Sequence, residues 1–82
     1  MAVVDVKLPD LGDDAGEEAR VSFWYVDVGE AVREGADLVQ MLTDKATFDV
    51  PSPVSGTVVE LVADEDQEVL VGEVLCRIDT GD

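Results

Sequence analysis

The stretch Val32-Arg33-Glu34-Gly35-Ala36-Asp37-Leu38 decides the fold of this chain, because its pattern returns as Val69-Leu70-Val71-Gly72-Glu73-Val74-Leu75. Valine, glycine and leucine recur in the same order and spacing, 37 residues further along. Three more apolar pairs share this offset: Val21 with Val58, Trp24 with Leu61, and Met41 with Ile78. Two similar halves predict two similar sheets related by a pseudo-twofold axis. Two units are too few for a stacked solenoid.

Short valine-rich runs alternate with polar residues and lie between glycines and prolines, a pattern typical of β-strands. Eight strands are predicted: residues 4–8, 20–26, 31–32, 38–43, 46–50, 56–62, a short strand near residue 69, and 74–78. Residues 11–18, rich in glycine and acids, are predicted to form a loop. The sequence therefore predicts an all-β fold, a flattened β-barrel or sandwich of two four-stranded antiparallel sheets.

The apolar positions matched between the two halves predict the core. They are Val21, Val32, Leu38, Val58, Val69, Leu75 and Ile78. The two glycines of the repeat, Gly35 and Gly72, are expected at turns with positive φ, a backbone conformation that glycine adopts without a steric penalty. The hairpin around Lys45 is predicted at one end of the molecule and the chain termini at the other.

Size and charge limit the possible functions. Residues 1–82 are interpreted as a single small domain. With 20 acidic residues against 5 basic ones, the net charge of −15 argues against nucleic acid and anionic membranes as partners. The acidity is explained equally by solubility or by steering toward basic surfaces on partner enzymes. With no signal peptide or apolar span, we expect a cytoplasmic protein, or a mitochondrial matrix protein if it is cut from a longer eukaryotic precursor.

Side chains suited to catalysis are scarce. The chain has no histidine, so its serines lack the usual base of a catalytic triad. The single cysteine, Cys76, lies in an apolar run and is predicted to be a buried structural thiol. The acidic pairs lack the spacing of a calcium loop, and no glycine-rich loop could hold a phosphate. The sequence therefore predicts neither catalytic residues nor a metal site.

Lys45 is one of two lysines and lies between two predicted strands, at the tip of a hairpin. An ordinary surface lysine in a turn is one interpretation. The other is an attachment point that a second enzyme acylates, since a solvated lysine on a stiff hairpin is accessible to a modifying enzyme. Asp44 suits the first position of the turn, where a carboxylate can accept from a backbone N–H two residues on.

Motifs along the chain extend this second interpretation. They are Leu8-Pro9-Asp10-Leu11-Gly12, Val28-Gly29-Glu30-Ala31-Val32, Thr43-Asp44-Lys45-Ala46-Thr47, Val50-Pro51-Ser52-Pro53-Val54-Ser55-Gly56 and Gly72-Glu73-Val74-Leu75. In these motifs the chain resembles the lipoyl domains, the swinging-arm carriers of 2-oxo acid dehydrogenase complexes, which belong to the biotinyl/lipoyl carrier family. The Asp-Lys-Ala tip followed by Val-Pro-Ser-Pro and glycine is its most specific part.

The resemblance implies that Lys45, flanked by Asp44 and Ala46, carries lipoic acid in amide linkage. It implies modification by a lipoate ligase or lipoyl transferase. It also implies three further partners: a thiamin-diphosphate-dependent 2-oxo acid decarboxylase, a dihydrolipoyl acyltransferase core and a dihydrolipoyl dehydrogenase. Partners would recognise a loop beside the attachment turn, formed by Leu11, Gly12, Asp13, Asp14 and Gly16.

The chain departs from the family pattern in two places, which leaves open the complex that it serves. Gly12-Asp13-Asp14-Ala15-Gly16 stands where Gly-Glu-Gly is frequent, and Phe48-Asp49 stands where a methionine or β-branched residue and a glutamate are common. The chain is expected to be either an excised domain or a free-standing carrier. A biotin carboxyl carrier domain is one alternative, although methionines would then flank the lysine. An unmodified interaction module is another.

Overall fold

The computed structural model describes residues 2–9, 18–44 and 46–81. Eight strands lie within these residues: β1 (Val3–Lys7), β2 (Glu18–Trp24), β3 (Ala31–Val32), β4 (Asp37–Leu42), β5 (Thr47–Pro51), β6 (Gly56–Leu61), β7 (Glu68–Leu70) and β8 (Val74–Asp79). The part of the chain described contains no helix long and apolar enough to cross a membrane. The predicted all-β class is confirmed.

Two four-stranded sheets form the fold, sheet A in the order β1-β8-β6-β3 and sheet B in the order β5-β4-β2-β7. Every pair of neighbouring strands is antiparallel. The two sheets share no strand, so they form a sandwich and do not close into a barrel. Each strand of one sheet has a counterpart in the same place in the other, which confirms the predicted pseudo-twofold relation.

The pseudo-twofold relation extends to single hydrogen bonds between the strands and turns. The Gly29 amide donates to Val58 O at 2.7 Å, and 37 residues later the Asp66 amide donates to Val21 O at the same distance. The predicted turns at the repeated glycines are confirmed, with φ of 89° at Gly35 and 90° at Gly72. The corresponding turns of the two halves therefore share their hydrogen bonding and their backbone conformation.

The two outer strands obey the same symmetry with a different offset. The Gly35 amide donates to Ser52 O at 2.8 Å, and the Gly72 amide donates to Leu8 O at 2.9 Å. Ser52 therefore corresponds to Leu8, so β5 corresponds to β1. The hairpin turn between β4 and β5 thus occupies the place that in sheet A lies between β8 and β1, where the chain ends.

All seven core residues predicted from the repeat are buried, each with 8% or less of its surface exposed. The structure adds further members to the core, among them Val39, Met41, Val50 and Cys76. Burial raises the pKa of the Cys76 thiol to about 11. A thiol that stays protonated at neutral pH is a poor nucleophile. Cys76 is fully buried, as the sequence predicted.

Strand boundaries differ from the prediction by one or two residues in most elements. The largest difference is in β2, which begins at Glu18 and ends at Trp24, where the sequence predicted a loop to residue 18 and a strand over 20–26. Strand pairing explains why β2 begins earlier than predicted, because Glu18 pairs with Leu70 of β7. A partner strand so distant in sequence leaves no local signal in the residues around Glu18.

Gly56 of β6 lies where no larger residue fits. An alanine Cβ there would come within 2.3 Å of Asp79 O and 2.9 Å of Ile78 Cγ2. Because the closest neighbour is backbone, Gly56→Ala is expected to lower the free energy of unfolding by about 1–3 kcal/mol or more. Urea denaturation measures the loss, with Thr57→Ala on the same strand as the control. Equal stability of Gly56→Ala and the parent would contradict this close approach.

Candidate functional site

The hairpin between β4 and β5 is closed by the residues on either side of positions 44 and 45. Leu42 and Thr47 form the last pair of the strand ladder. The Thr43 amide then donates to Ala46 O at 2.9 Å, and the Thr43 hydroxyl donates to the same oxygen at 3.1 Å. The Ala46 amide in turn donates to Thr43 Oγ1 at 3.2 Å. These three bonds leave a two-residue tip.

Thr43 therefore takes the position in the turn that the sequence assigned to Asp44. The amide two residues after Asp44 is that of Ala46, and it donates to the Thr43 hydroxyl. Threonine at the first position of a turn can bond the backbone in this way, as aspartate does, so the signal was present in the sequence. Asp44 is exposed instead, as is Ala46.

The support under this turn is rigid. β4 is an inner strand of sheet B, paired on one side with β5 and on the other with β2. Its residues Leu38, Val39 and Met41 are fully buried. An inner strand with one packed face cannot slip without moving its apolar side chains to the wrong face. The two ends of the turn, Thr43 and Ala46, are thus held in place by the sheet.

Several predicted site residues lie outside the part of the chain that the structure describes. They are Lys45 and the recognition loop of Leu11, Gly12, Asp13, Asp14 and Gly16. Their roles stay predictions. Of the predicted site residues only Asp44 and Ala46 are described: Asp44 lies within the tip and Ala46 closes the turn beside it.

One surface near the turn was not predicted from the sequence. On the outer side of sheet B, Phe23 lies opposite Gln40, which lies opposite Asp49. The rings of Phe23 and Tyr25 meet edge to face with centroids 4.8 Å apart, and the Tyr25 hydroxyl donates to Asp49 Oδ1 at 2.8 Å. We call these four residues the aromatic face. Its sequence signal was weak, because exposed and buried aromatics look alike in a strand.

The hydrogen bond to the Asp49 carboxylate raises the pKa of Tyr25 above its ordinary value of about 10. The bond needs the protonated phenol, so it contributes stability below the unfolded-state pKa and is lost as pH rises through the folded-state value. Tyr25 is the single tyrosine of the chain. Its absorbance titration should therefore show a midpoint above 10 that falls in Asp49→Asn. An unchanged midpoint in that variant would contradict the bond.

A second surface feature is an open groove beside the pseudo-twofold axis. It is lined by Trp24, Asp27, Leu61, Ala63, Asp64 and Glu65. The Trp24 indole N–H donates to Ala63 O at 2.8 Å, which ties the two halves together. The groove has acids but no base or nucleophile. Within the described ranges, no group of three or more potential metal ligands occurs.

Comparison with known proteins identifies the family. Residues 4–78 match the family described as "Biotin-requiring enzyme", which unites biotinyl and lipoyl domains. The dihydrolipoyllysine-residue acetyltransferase component of the pyruvate dehydrogenase complex of Corynebacterium glutamicum is 43% identical over 77 residues, covering 94% of this chain and 11% of that protein. The chain belongs to the biotinyl/lipoyl carrier family, as a lipoyl domain. The resemblance expected from the hairpin motif is confirmed.

Two further similarities place this lipoyl domain among its relatives. The lipoamide acyltransferase component of the branched-chain α-keto acid dehydrogenase complex of Bacillus subtilis is 38% identical over 80 residues, covering 98% of this chain and 19% of that protein. The lipoyl domain of the 2-oxoglutarate dehydrogenase complex of Azotobacter vinelandii superposes with a TM-score of 0.73 at 30% identity, covering 93% and 95% of the two chains. The chain thus spans less than a fifth of these two acyltransferase components but almost all of an isolated lipoyl domain.

The fold itself is shared more widely than lipoyl domains. Urea carboxylase of Kluyveromyces lactis superposes with a TM-score of 0.80 over 96% of this chain and 6% of that one, at 16% identity. At that identity the similarity shows the fold alone. The fold by itself therefore does not identify a lipoyl carrier, and that assignment rests on the relatives of higher sequence identity.

Proposed function

We propose that Lys45 carries lipoate in amide linkage to its side-chain nitrogen. We further propose that the domain shuttles acyl groups and reducing equivalents between the active sites of a 2-oxo acid dehydrogenase complex, the pyruvate complex or a related one. The observation that carries the proposal is the tip itself: a two-residue turn closed by Thr43 and Ala46, with exposed neighbours, on a rigid inner strand. The sequence relatives are acyltransferase components of such complexes.

The described residues fit an attached acyl chain. The hydrogen bonds that close the turn use Thr43 and the Ala46 backbone, so an acyl group on the side chain between them disturbs none of them. Ala46 offers only a methyl group beside the attachment point. When bound, lipoate supplies a disulfide that takes an acyl group on one sulfur and a proton on the other, with both electrons coming from the decarboxylated 2-oxo acid.

This chain's own contribution is positioning. The domain supplies no acid, base or metal from its described residues; it holds the attachment point on a stiff support and raises the effective concentration of the carried group at each active site. A lipoate ligase or lipoyl transferase would load Lys45. A thiamin-diphosphate-dependent decarboxylase, an acyltransferase core and a dihydrolipoyl dehydrogenase would then use it in turn.

Intact-mass measurement separates the candidate modifications. The domain is expressed with a lipoate ligase and lipoate, and separately with a biotin ligase and biotin. We expect complete conversion to the lipoylated mass in the first case and the unmodified mass in the second. Biotinylation without lipoylation would establish the biotin carrier alternative, and no conversion by either ligase would leave an interaction module.

The identity of the complex is tested on the lipoylated domain. Decarboxylase components that act on pyruvate, on a branched-chain 2-oxo acid and on 2-oxoglutarate are each supplied with their own substrate. We expect reductive acylation to be fastest with the pyruvate or the branched-chain enzyme, following the sequence relatives. Failure of all three to acylate a fully lipoylated domain would overturn the proposed shuttle.

The acids of the predicted recognition loop are expected to act by steering. Asp13→Asn with Asp14→Asn should leave lipoylation intact but slow reductive acylation, because an acidic surface speeds encounter with a basic funnel. The loss should shrink at high salt, since the Debye length falls from about 10 Å at 0.1 M to about 3 Å at 1 M. Equal rates for the double variant and the parent across that range would remove the loop from the functional site.

A further inference from the structure

The outer sides of the two sheets differ at places that the pseudo-twofold axis makes equivalent. In sheet A, Arg77 lies between two acids: it contacts the Asp5 carboxylate at 3.0 Å and also pairs with Glu60. The three residues come from β8, β1 and β6 in neighbouring positions of the ladder. At these three places the outer side of sheet A therefore holds ion pairs between the domain's own residues.

In sheet B the corresponding three places hold the aromatic face. The matching strand registers show which positions are equivalent. Gln40 occupies the position of Arg77, Phe23 that of Glu60, and Asp49 that of Asp5. Beside them lies Tyr25, in edge-to-face contact with Phe23. Phe23 remains 38% exposed and Tyr25 43% exposed.

The fold does not require aromatics at this place. Sheet A has the same backbone and strand pairing with charged residues at the equivalent positions, so the fold is compatible with polar residues there. Phe23 and Tyr25 are two of the four aromatic residues of the chain, and both are exposed. Exposed aromatic groups with a polar rim mark surfaces that contact other proteins.

The aromatic face lies close to the attachment turn. Gln40 and Asp49 are two residues from Leu42 and Thr47, the last pair before the tip. At about 3.3–3.4 Å per residue, this separation is about 7 Å along the strands. A protein that receives a group carried on Lys45 must approach this end of sheet B, and so comes within reach of the face.

Charges around the face indicate what kind of surface it would meet. Asp49 lies in the face, and the Asp37 carboxylate is near enough to add to the raised pKa of Tyr25. Arg20, a described cation on the same strand as Phe23, is paired with Glu68 at 3.5 Å. The complementary surface is therefore an apolar side chain flanked by lysine or arginine.

We propose that the aromatic face, Phe23, Tyr25, Gln40 and Asp49, is a docking surface for the decarboxylase that loads the acyl group. The proposal rests on the proposed lipoyl carrier function. A ligase must bring its active site to the lysine nitrogen itself, so the turn and its flanks suffice for it. The decarboxylase would meet the carried group at the end of a much longer arm and need not contact the turn itself, so a surface that favours the domain over free lipoamide can lie further from the tip.

A charge-neutral exchange between the two sheets tests the proposal. Phe23→Glu with Gln40→Arg reproduces in sheet B the ion-pair arrangement of sheet A and leaves the net charge unchanged, so steering by the whole domain is preserved. We expect kcat/KM for reductive acylation by the decarboxylase that best acylates the parent to fall about 10-fold or more, the size expected for loss of a central aromatic contact. The rate of lipoylation should not change.

The reverse exchange is the matched control. Glu60→Phe with Arg77→Gln, on sheet A, should leave both rates at the parental level. Thermal unfolding is recorded for every variant. If the sheet B double variant is partly unfolded, Phe23→Thr takes its place, since threonine keeps the strand propensity and removes the ring.

The outcomes distinguish this proposal from the one on which it rests. A lipoylated parent that no decarboxylase acylates overturns the carrier function. A parent that is acylated while the folded sheet B variant matches it overturns the docking surface alone. Slower lipoylation of that variant, with unchanged acylation, would assign the face to the ligase and also overturn the proposal.

Discussion

Lys45→Arg is expected to abolish lipoylation completely while the domain stays folded. Arginine keeps the charge but offers a guanidinium in place of the amine that forms the amide bond. The hydrogen bonds that close the turn have all their donors and acceptors on Thr43 and Ala46. The midpoint of thermal unfolding should therefore stay within about 2–4 °C of the parent. Intact mass and a melting curve of the same sample measure both.

The position of the lysine can be tested as well as its presence. Lys45→Ala with Ala46→Lys moves the amine by one residue and should also abolish modification, because neighbouring residues of a hairpin point in different directions. Lys7, which lies in β1 and not in a turn, should remain unmodified in every variant. A lipoylated mass for Lys45→Arg would show that attachment occurs elsewhere.

The core should be most sensitive at two matched leucines. Leu38 and Leu75 are both fully buried, one in each sheet, and are related by the repeat. Leu38→Ala and Leu75→Ala should each lower the free energy of unfolding by about 2–5 kcal/mol, from lost burial and the cavity left behind. Each kcal/mol shifts the melting midpoint of a domain this small by about 4–8 °C, so both variants should melt about 8–40 °C lower than the parent.

An exposed valine controls for the general effect of shortening a side chain in a strand. Val59 in β6 is 42% exposed, and Val59→Ala should change the free energy of unfolding by no more than about 0.5–1 kcal/mol. If either leucine variant unfolds with the parent, the assignment of matched core positions is wrong. A large difference between the two leucine variants would show instead that the two sheets contribute unequally to stability.

The repeat made the core predictable from the sequence alone. Burial on one face of a strand imposes a period of two, and a second copy at constant offset shows which apolar residues share a role. Val21 and Val58 are an example, each fully buried in its own sheet. Gly35 and Gly72 were predictable for a related reason, because a turn that needs positive φ selects glycine strongly.

Another pair of matched turns was harder to recognise in the sequence, because only one of the two has a glycine. Asp66 adopts φ of 67°, in the place where the other half has Gly29 at φ of 96°. Aspartate tolerates this region better than most residues, so its presence there is not a clear signal. The hydrogen bond of Thr43 to Ala46 was missed because Asp44 is the more familiar turn residue.

The sequence by itself determined the all-β class, the two related halves, the buried positions and the hairpin between β4 and β5. Each is encoded locally, in spacing, alternation and turn residues. Tertiary structure alone decided which strands are neighbours, where β2 begins, and that Phe23 and Tyr25 form one exposed surface near the turn between β4 and β5. These features depend on pairing between residues far apart in the chain, and a strand pattern shows which residues share a face but not what lies beside them.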